Sequence, residues 1–361
     1  MQALHIHAGP KALAHICVHG LRPEHIGVIP AAAGGPKALI LGPLDRFIFG
    51  EWLSQNSHSV DLIGASIGAW RMATACLNDS VTSFERLEHD YIHQHYEPQP
   101  SKKRVSAEQV SEAFGNSLQA FYGGRIAEVL SHPQYKLHIV TSHGRHILRR
   151  ENPVTTPLGY AGAFLSNALS RRALGGWLER VVFSGQGASL PFDAQDFRTL
   201  AVGLTEVNFM PALQASCSIP FALKAVHNIP GAPAGAYWDG GITDYHLHLN
   251  WTSPTQGPDR PIVLYPHFQK SVVPGWLDKA LKWRHGATPF LDSTIVLAPN
   301  PEWVKTLPGG KLPDRKDFMT YDGDLAGRIK IWSVAARASQ QLADEFSHWL
   351  QNPISSMVQP L

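Results

Sequence analysis

The run "DLIGASIGAW", Asp61 to Trp70, sets a serine between two glycines in the pattern Gly-x-Ser-x-Gly: Gly64, Ser66 and Gly68. A serine hydroxyl attacks an acyl carbon only when a base takes its proton and donors hold the oxyanion that forms. An apolar run leads into Gly64 and a helix-compatible run leaves Gly68. That strand–turn–helix setting is the one in which a nucleophile elbow presents its serine. At the start of the helix, exposed N–H groups and the macrodipole favour developing negative charge. The alternative is a serine that merely caps a helix in a Gly-rich turn.

Oxyanion donors have a candidate upstream. "AAAGGPKA" follows the preceding apolar strand, and Gly34 and Gly35 can aim backbone N–H groups without a side chain in the way. Pro36 has no N–H to offer. Lys37 is suited to fixing the loop or meeting a negative head group. No Gly-Lys-Ser/Thr follows, so the spacing excludes a Walker-type phosphate loop.

The base is a choice between imidazole and carboxylate. His246, His248 and His267 follow acidic residues, in the chain order of a Ser-His-Asp esterase. His246 and His248 alternate with Tyr245, Leu247 and Leu249, which reads as an extended structural segment. "YWDGG" is better built: Asp239 precedes Gly240 and Gly241, which allow a sharp turn, and the aromatic pair before it excludes water. A desolvated carboxylate within hydrogen-bond reach can take a serine proton directly.

With these residues in place, the chain resembles the patatin-like lipid acyl hydrolases, a family that uses a Ser–Asp dyad and no histidine. Four segments match in the family's order: "AGGPKA" (Ala33 to Ala38), "GASIG" (Gly64 to Gly68), "ALQASCSIPFAL" (Ala212 to Leu223) and "DGG" (Asp239 to Gly241). The resemblance spans Ile26 to about Tyr245. It implies Ser66 as nucleophile, Asp239 as base, Gly34 and Gly35 as the main oxyanion donors, Lys37 as the loop's basic residue, and a supporting role for the small-residue segment Ala212 to Leu223. Ala33 and Ala38 stand where the family's loop carries glycine, so the donor set is open at those positions.

The elements that must hold these residues read as α/β. Short, wholly apolar runs such as "HIGVIPAA", "SVDLIGA", "KLHIVTSH", "RVVFSG", "PIVLYPHF" and "STIVLAP" alternate with helical stretches. That pattern predicts a three-layer α/β/α fold with a central, mostly parallel sheet, as in the patatin-like proteins. One catalytic domain over residues 1–361 is expected, with helical cap insertions at about 82–130 and 150–180. "PKALAHICVHG" predicts a first helix ended by Gly20. "ALILGPLDRFIFGEWLSQ" predicts one helix, and "DLAGRIKIWSVAARASQQLADEFSHWL" one long C-terminal helix.

Bulk composition narrows the rest. Hydrophobic residues make up 44% and charged residues 17%, as in a globular chain, and a net charge of +2 supplies no argument for nucleic acid. Cys17, Cys76 and Cys217 are few, odd in number and far apart, so reduced thiols in a cytoplasm-like compartment are expected. Cys217 reads as a packing residue and Cys76 as core. No histidine or cysteine spacing suits a metal, and no cofactor is called for. The N-terminus lacks the pattern of a signal peptide, and no apolar run is long enough to span a bilayer. The basic clusters at 102–104, 149–151 and 171–172 read as solvated faces or as contacts to anionic head groups. Trp177, Trp276, Trp283 and Trp303 are candidates for a lid or an interfacial face.

These readings converge on a serine lipid acyl hydrolase acting on a lipid or other acyl ester, with transient contact to a membrane surface. An acyltransferase on the same dyad, a Ser-His-Asp esterase and an inactive lipid-binding protein are the alternatives.

Overall fold

The computed structural model describes residues 1–55, 57–97, 105–251 and 261–361; the basic run at 102–104 lies outside the described residues. The strands are β1 (Leu4–Ala8), β2 (Ile26–Ala31), β3 (Val60–Ala65), β4 (Tyr135–Gly144), β5 (Leu178–Ser184), β6 (Phe192–Asp193), β7 (Thr199–Gly203), β8 (Val226–His227), β9 (Ala236–Asp239), β10 (Asn250–Trp251), β11 (Ile262–Pro266), β12 (Thr294–Pro299) and β13 (Val358–Pro360). The main sheet runs β13-β1-β12-β11-β2-β3-β4-β5-β7, with β9 joined to β4 and β8 to β9. From β12 through β11, β2 and β3 to β4 every pairing is parallel. Every residue of β2, β3, β11 and β12 is buried, as befits strands covered by helices on both faces. The fold is a three-layer α/β/α arrangement around a mixed, centrally parallel sheet.

The long strand β4 organises the site. Its first half pairs in parallel with β3, ending at Ala65 opposite Val140. Its second half pairs antiparallel with β9, beginning with Asp239 opposite Thr141. Two strands therefore arrive from opposite directions on one edge of β4 and meet where the first stops. The residue that follows β3 is Ser66, and the residue that ends β9 is Asp239.

Some elements differ from expectation. The N-terminal segment "LHIHA" is a strand, antiparallel to β12, and β13 pairs beside it. Residues 35–55 are not one helix: a 3₁₀ stretch Gly35–Leu41 gives way to an α-turn Gly42–Phe47 and then a π-helical stretch Ile48–Trp52. Pro43 has no N–H for the preceding turn, so the helix must restart there. The C-terminal helix is two, Leu325–Ala338 and Gln340–Gln351. Between them the Ser339 hydroxyl donates to the Ala336 carbonyl at 2.6 Å, competing with the backbone ladder.

The described residues of the segment 82–130 form the helices Ser80–His93, Ala107–Tyr122 and Ile126–Leu130, the first two of which flank the site. The segment 150–180 forms the helices Thr155–Leu169 and Arg171–Leu174 and then enters β5. Its buried side packs on Trp238 through Tyr160, in a satellite core with Leu148 and Leu178. Trp303 is buried and Trp283 is exposed. Among the described residues no helix is long and apolar enough to cross a membrane.

Candidate active site

Ser66 sits between the end of β3 and the helix Ile67–Ala75, with φ 57° and ψ −131°. A non-glycine residue there is strained by roughly 1–3 kcal/mol, which the surroundings must hold. They hold it by close packing. A Cβ on Gly68 would lie 2.0 Å from the Ala31 carbonyl oxygen, and one on Gly64 would lie 2.4 Å from Gly68 and Ala69 backbone atoms. The elbow can turn this sharply only because both positions lack a side chain.

The Ser66 hydroxyl makes no capping bond to its helix. It donates instead to Asp239 Oδ2 at 2.7 Å, with both residues buried. The other oxygen, Oδ1, accepts the Gly241 N–H at 2.7 Å. The carboxylate is thus fixed by a backbone donor and still has an oxygen free for the serine proton. Burial pushes the Asp239 carboxyl above its ordinary range, against the opposing pull of Arg315, the Ser66 hydroxyl, the Gly241 N–H and Lys279. A raised pKa makes a carboxylate a better proton acceptor.

The small-residue segment Ala212 to Leu223 closes around Ser66 and Asp239. Ser216 Oγ accepts the Ser66 backbone N–H at 3.0 Å and donates to the Val140 carbonyl at 2.7 Å. The Ser218 carbonyl accepts the Asp239 N–H at 2.9 Å. This one segment therefore ties the turn after β3, β4 and β9 together. Cys217 lies within it, buried; burial and then the charge of Asp239 push its thiol up, away from the thiolate.

The Gly-rich loop with Gly34 and Gly35 follows β2. Ala33 does not contribute a donor, because its N–H is bonded to the Tyr245 carbonyl at 2.9 Å. The N–H groups of Gly34 and Gly35 make no hydrogen bond among the described residues. Gly35 has φ 57°, a conformation that suits glycine, and a Cβ there would come within 3.1 Å of the Arg315 guanidinium. Gly34 packs against Phe268, and Lys37 Nζ lies 5.2 Å from the centre of that ring. Half-burial lowers the Lys37 pKa, partly offset by Asp314.

The histidines are occupied elsewhere. His246 Nδ1 accepts the Val273 N–H, and His248 is bonded to the Val272 carbonyl and Thr288 Oγ1. His267 Nδ1 accepts the Gln269 N–H at 3.1 Å. Burial holds all three below the usual imidazole range, so they are neutral and none bonds to Ser66. No group of His, Cys, Asp and Glu among the described residues is arranged to hold a metal ion.

Two cavities open on Ser66 and Asp239. An apolar one of about 460 Å³ reaches Ser66 and is walled by Trp70, Tyr91, Phe114, Leu223 and Phe318. A smaller one of about 250 Å³ reaches Asp239 and is walled by Lys37, Tyr245, Trp276, Lys279 and Arg315. Ile219 and Arg315 border both.

No family model matches the sequence, and no curated protein matches it. Among solved structures, VipD from Legionella pneumophila aligns over 97% of this chain and 70% of its own, with 12% identity and a TM-score of 0.39. The human GIVD cytosolic phospholipase A2 aligns over 96% of this chain and 63% of its own, with 12% identity and a TM-score of 0.37.

Three contributors escaped sequence reasoning. Ser216 was visible only as part of a small-residue run. Lys279 and Arg315 carry no motif and reach the site from loops far along the chain. Arg171, read as a solvated basic residue, is built in: it donates to the Thr243 carbonyl at 2.6 Å and pairs with Asp244 and Asp278. Arg180 meets Asp244 with two bonds of 2.7 and 2.6 Å, and Arg284 and Asn167 hold Asp278 at 2.8 Å each. This buried network pins the turn after Asp239 to the loop that carries Lys279.

Proposed function

We propose that the protein is a serine acyl-ester hydrolase of the lipid acyl hydrolase type, acting through a Ser66–Asp239 dyad in a single catalytic domain. The observation that carries the reading is the 2.7 Å bond from a strained elbow serine to a buried carboxylate whose second oxygen is already fixed. A serine held only as a helix cap would have no use for either feature.

In this reading Asp239 Oδ2 takes the Ser66 proton as Oγ bonds to the ester carbonyl carbon. The oxyanion is received by the N–H groups of Gly34 and Gly35, each such donor being worth about 3 kcal/mol of barrier. The tetrahedral intermediate collapses, the bond to the alcohol oxygen breaks, and Asp239 returns its proton to that oxygen. Water then attacks the acyl–Ser66 ester, gives its proton to Asp239, and the carboxylic acid leaves as Ser66 recovers its hydrogen. Ester and water become acid and alcohol, and Asp239 ends as it began.

The apolar cavity suits an acyl chain. In this reading the helices Ser80–His93 and Ala107–Tyr122, which supply Tyr91 and Phe114 to its wall, cap the acyl chain. The helix Thr155–Leu169 leaves Leu158, Leu165 and Leu169 exposed, and Phe221 is exposed beside Tyr160. An apolar face of this kind suits transient contact with a lipid surface.

A fluorophosphonate that forms a covalent bond with activated serines tests the reading directly. Wild type should be labelled at Ser66 and should hydrolyse a long-chain acyl ester, and Ser66→Ala should do neither. A folded Ser66→Ala protein with full hydrolytic activity would dispose of the proposal.

A further inference from the structure

The small cavity beside Asp239 does not resemble a space for an acyl chain. Its walls bring together Lys37, Lys279, Arg315 and Lys316. Lys279 Nζ lies 4.0 Å from the centre of the Tyr245 ring and 5.7 Å from that of Trp276. None of Lys37, Lys279 or Arg315 makes an ion pair among the described residues. The acidic groups there are otherwise engaged: Asp239 with Ser66, and Asp314 with Lys311 Nζ at 3.0 Å and the Lys316 N–H at 2.7 Å. Like charges gathered without partners cost free energy, and a bound anion removes that cost.

The side of the dyad on which this cavity lies decides which part of a substrate it meets. Ser66 opens to the apolar cavity and Asp239 to the cationic one. Asp239 must hand its proton to the leaving alcohol, so the alcohol half of the ester lies toward Asp239 while the acyl chain lies toward Trp70 and Phe114.

Resting on the hydrolase reading above, we propose that Lys37, Lys279 and Arg315 form an anion subsite for the leaving group. The substrate class is then acyl esters of small alcohols that carry a phosphate or similar anion. Head groups ending in a quaternary ammonium are disfavoured, because the cation would be pressed against Lys279 and Lys316. The charge state supports this selectivity at neutral pH. Burial of its ammonium, then Arg315 and Lys37, lower the Lys279 pKa to about 8, with Asp239 opposing them. Lys279 is therefore charged at neutral pH and loses its charge as the pH rises past that value. The phenol of Tyr245, which faces it, is raised to about 12 by burial and stays neutral through this range.

Calorimetric titration of the full chain with compounds that the protein cannot hydrolyse separates this proposal from the hydrolase reading. The probes are octyl phosphate, octan-1-ol, octylphosphocholine and inorganic phosphate. Octyl phosphate should bind at least about ten-fold more tightly than each of the other three. Lys279→Gln and Arg315→Gln should each weaken octyl phosphate by at least about five-fold, and Lys279→Arg should restore it. Octyl phosphate affinity should also fall between about pH 7 and pH 9, an effect absent in Lys279→Arg. Equal affinity for octyl phosphate and octan-1-ol overturns the subsite, as does unchanged octyl phosphate binding in a folded Lys279→Gln/Arg315→Gln protein. Octylphosphocholine binding as tightly as octyl phosphate overturns the head-group selectivity. Inorganic phosphate binding as tightly as octyl phosphate overturns the leaving-group assignment and leaves a free-anion site. None of these measurements needs turnover, so a protein that binds octyl phosphate yet shows no labelled Ser66 would retain the subsite and lose the hydrolase reading.

Discussion

Replacing Asp239 by Asn separates chemistry from packing at this site. The two side chains have the same shape, and Asn can keep its oxygen on the Gly241 N–H, where Oδ1 now accepts at 2.7 Å. The position facing Ser66 then becomes an amide NH₂, which cannot take a proton. General-base catalysis is worth about 10²–10⁴-fold, or roughly 3–5.5 kcal/mol of barrier. kcat for a soluble acyl ester should fall by that factor while KM changes little. Stability should move the other way. Because burial raises the Asp239 pKa, the folded state favours the protonated acid. That contribution to stability is fully present below the unfolded pKa and is lost as pH rises through the folded pKa. Asn carries no charge to bury, so the variant should be the more stable protein at neutral pH, by about 1 kcal/mol. For a chain of this length that is an increase of about 1–2 °C in Tm. The difference should vanish in acid. The assays are ester hydrolysis, phosphonate labelling and thermal melts at neutral and acidic pH. A folded Asp239→Asn protein that keeps more than about a tenth of wild-type kcat would refute the dyad. A variant markedly less stable than wild type at neutral pH would refute the account of the buried charge.

Further outcomes follow from the same geometry. Hydrolysis by wild type should be lost as pH falls through a midpoint above the ordinary aspartate value of about 3.9, since Asp239 must be ionised to act; a midpoint at or below that value in a pH–kcat/KM profile would contradict the burial of its carboxyl. Folded His246→Gln and His248→Gln proteins should each retain kcat to within about three-fold, whereas abolition in either would revive an imidazole base. Gly68→Ala forces a methyl onto the Ala31 carbonyl and should lower stability by about 1–3 kcal/mol in denaturant titrations, along with activity. Leu165→Glu should reduce hydrolysis of vesicle-borne ester while sparing a monomeric soluble one, and equal loss on both would argue against an interfacial role for that helix.

What was legible in the chain was local. Gly64, Ser66 and Gly68 specify a turn through their own sterics, so the elbow could be read from ten residues. The buried strands announced themselves as unbroken apolar runs, and Asp239 with its two glycines announced a carboxylate on a sharp turn. Alternation at His246 and His248 reads as an extended structural segment; both side chains are held by Val273 and Val272, in a loop and not in a strand. Helical spacing also overran Pro43 and Ser339, because periodicity reports which face is buried and is blind to a missing N–H or a competing hydroxyl.

The meeting of these pieces depends on distance through space. Asp239 lies beside Ser66 because β9 comes to the same edge of β4 that β3 leaves, and no residue of either strand encodes that edge alone. The removal of Ala33 from the donor set follows from its bond to Tyr245, a partner more than 200 positions away. Arg315 and Lys279 belong to no pattern at all: their charges matter because folding gathers them with Lys37, none ion-paired among the described residues, in one cavity beside Asp239. Backbone sterics act between neighbours and can be read along a chain, whereas electrostatics and cavity shape act between whatever the packed sheet and helices bring together.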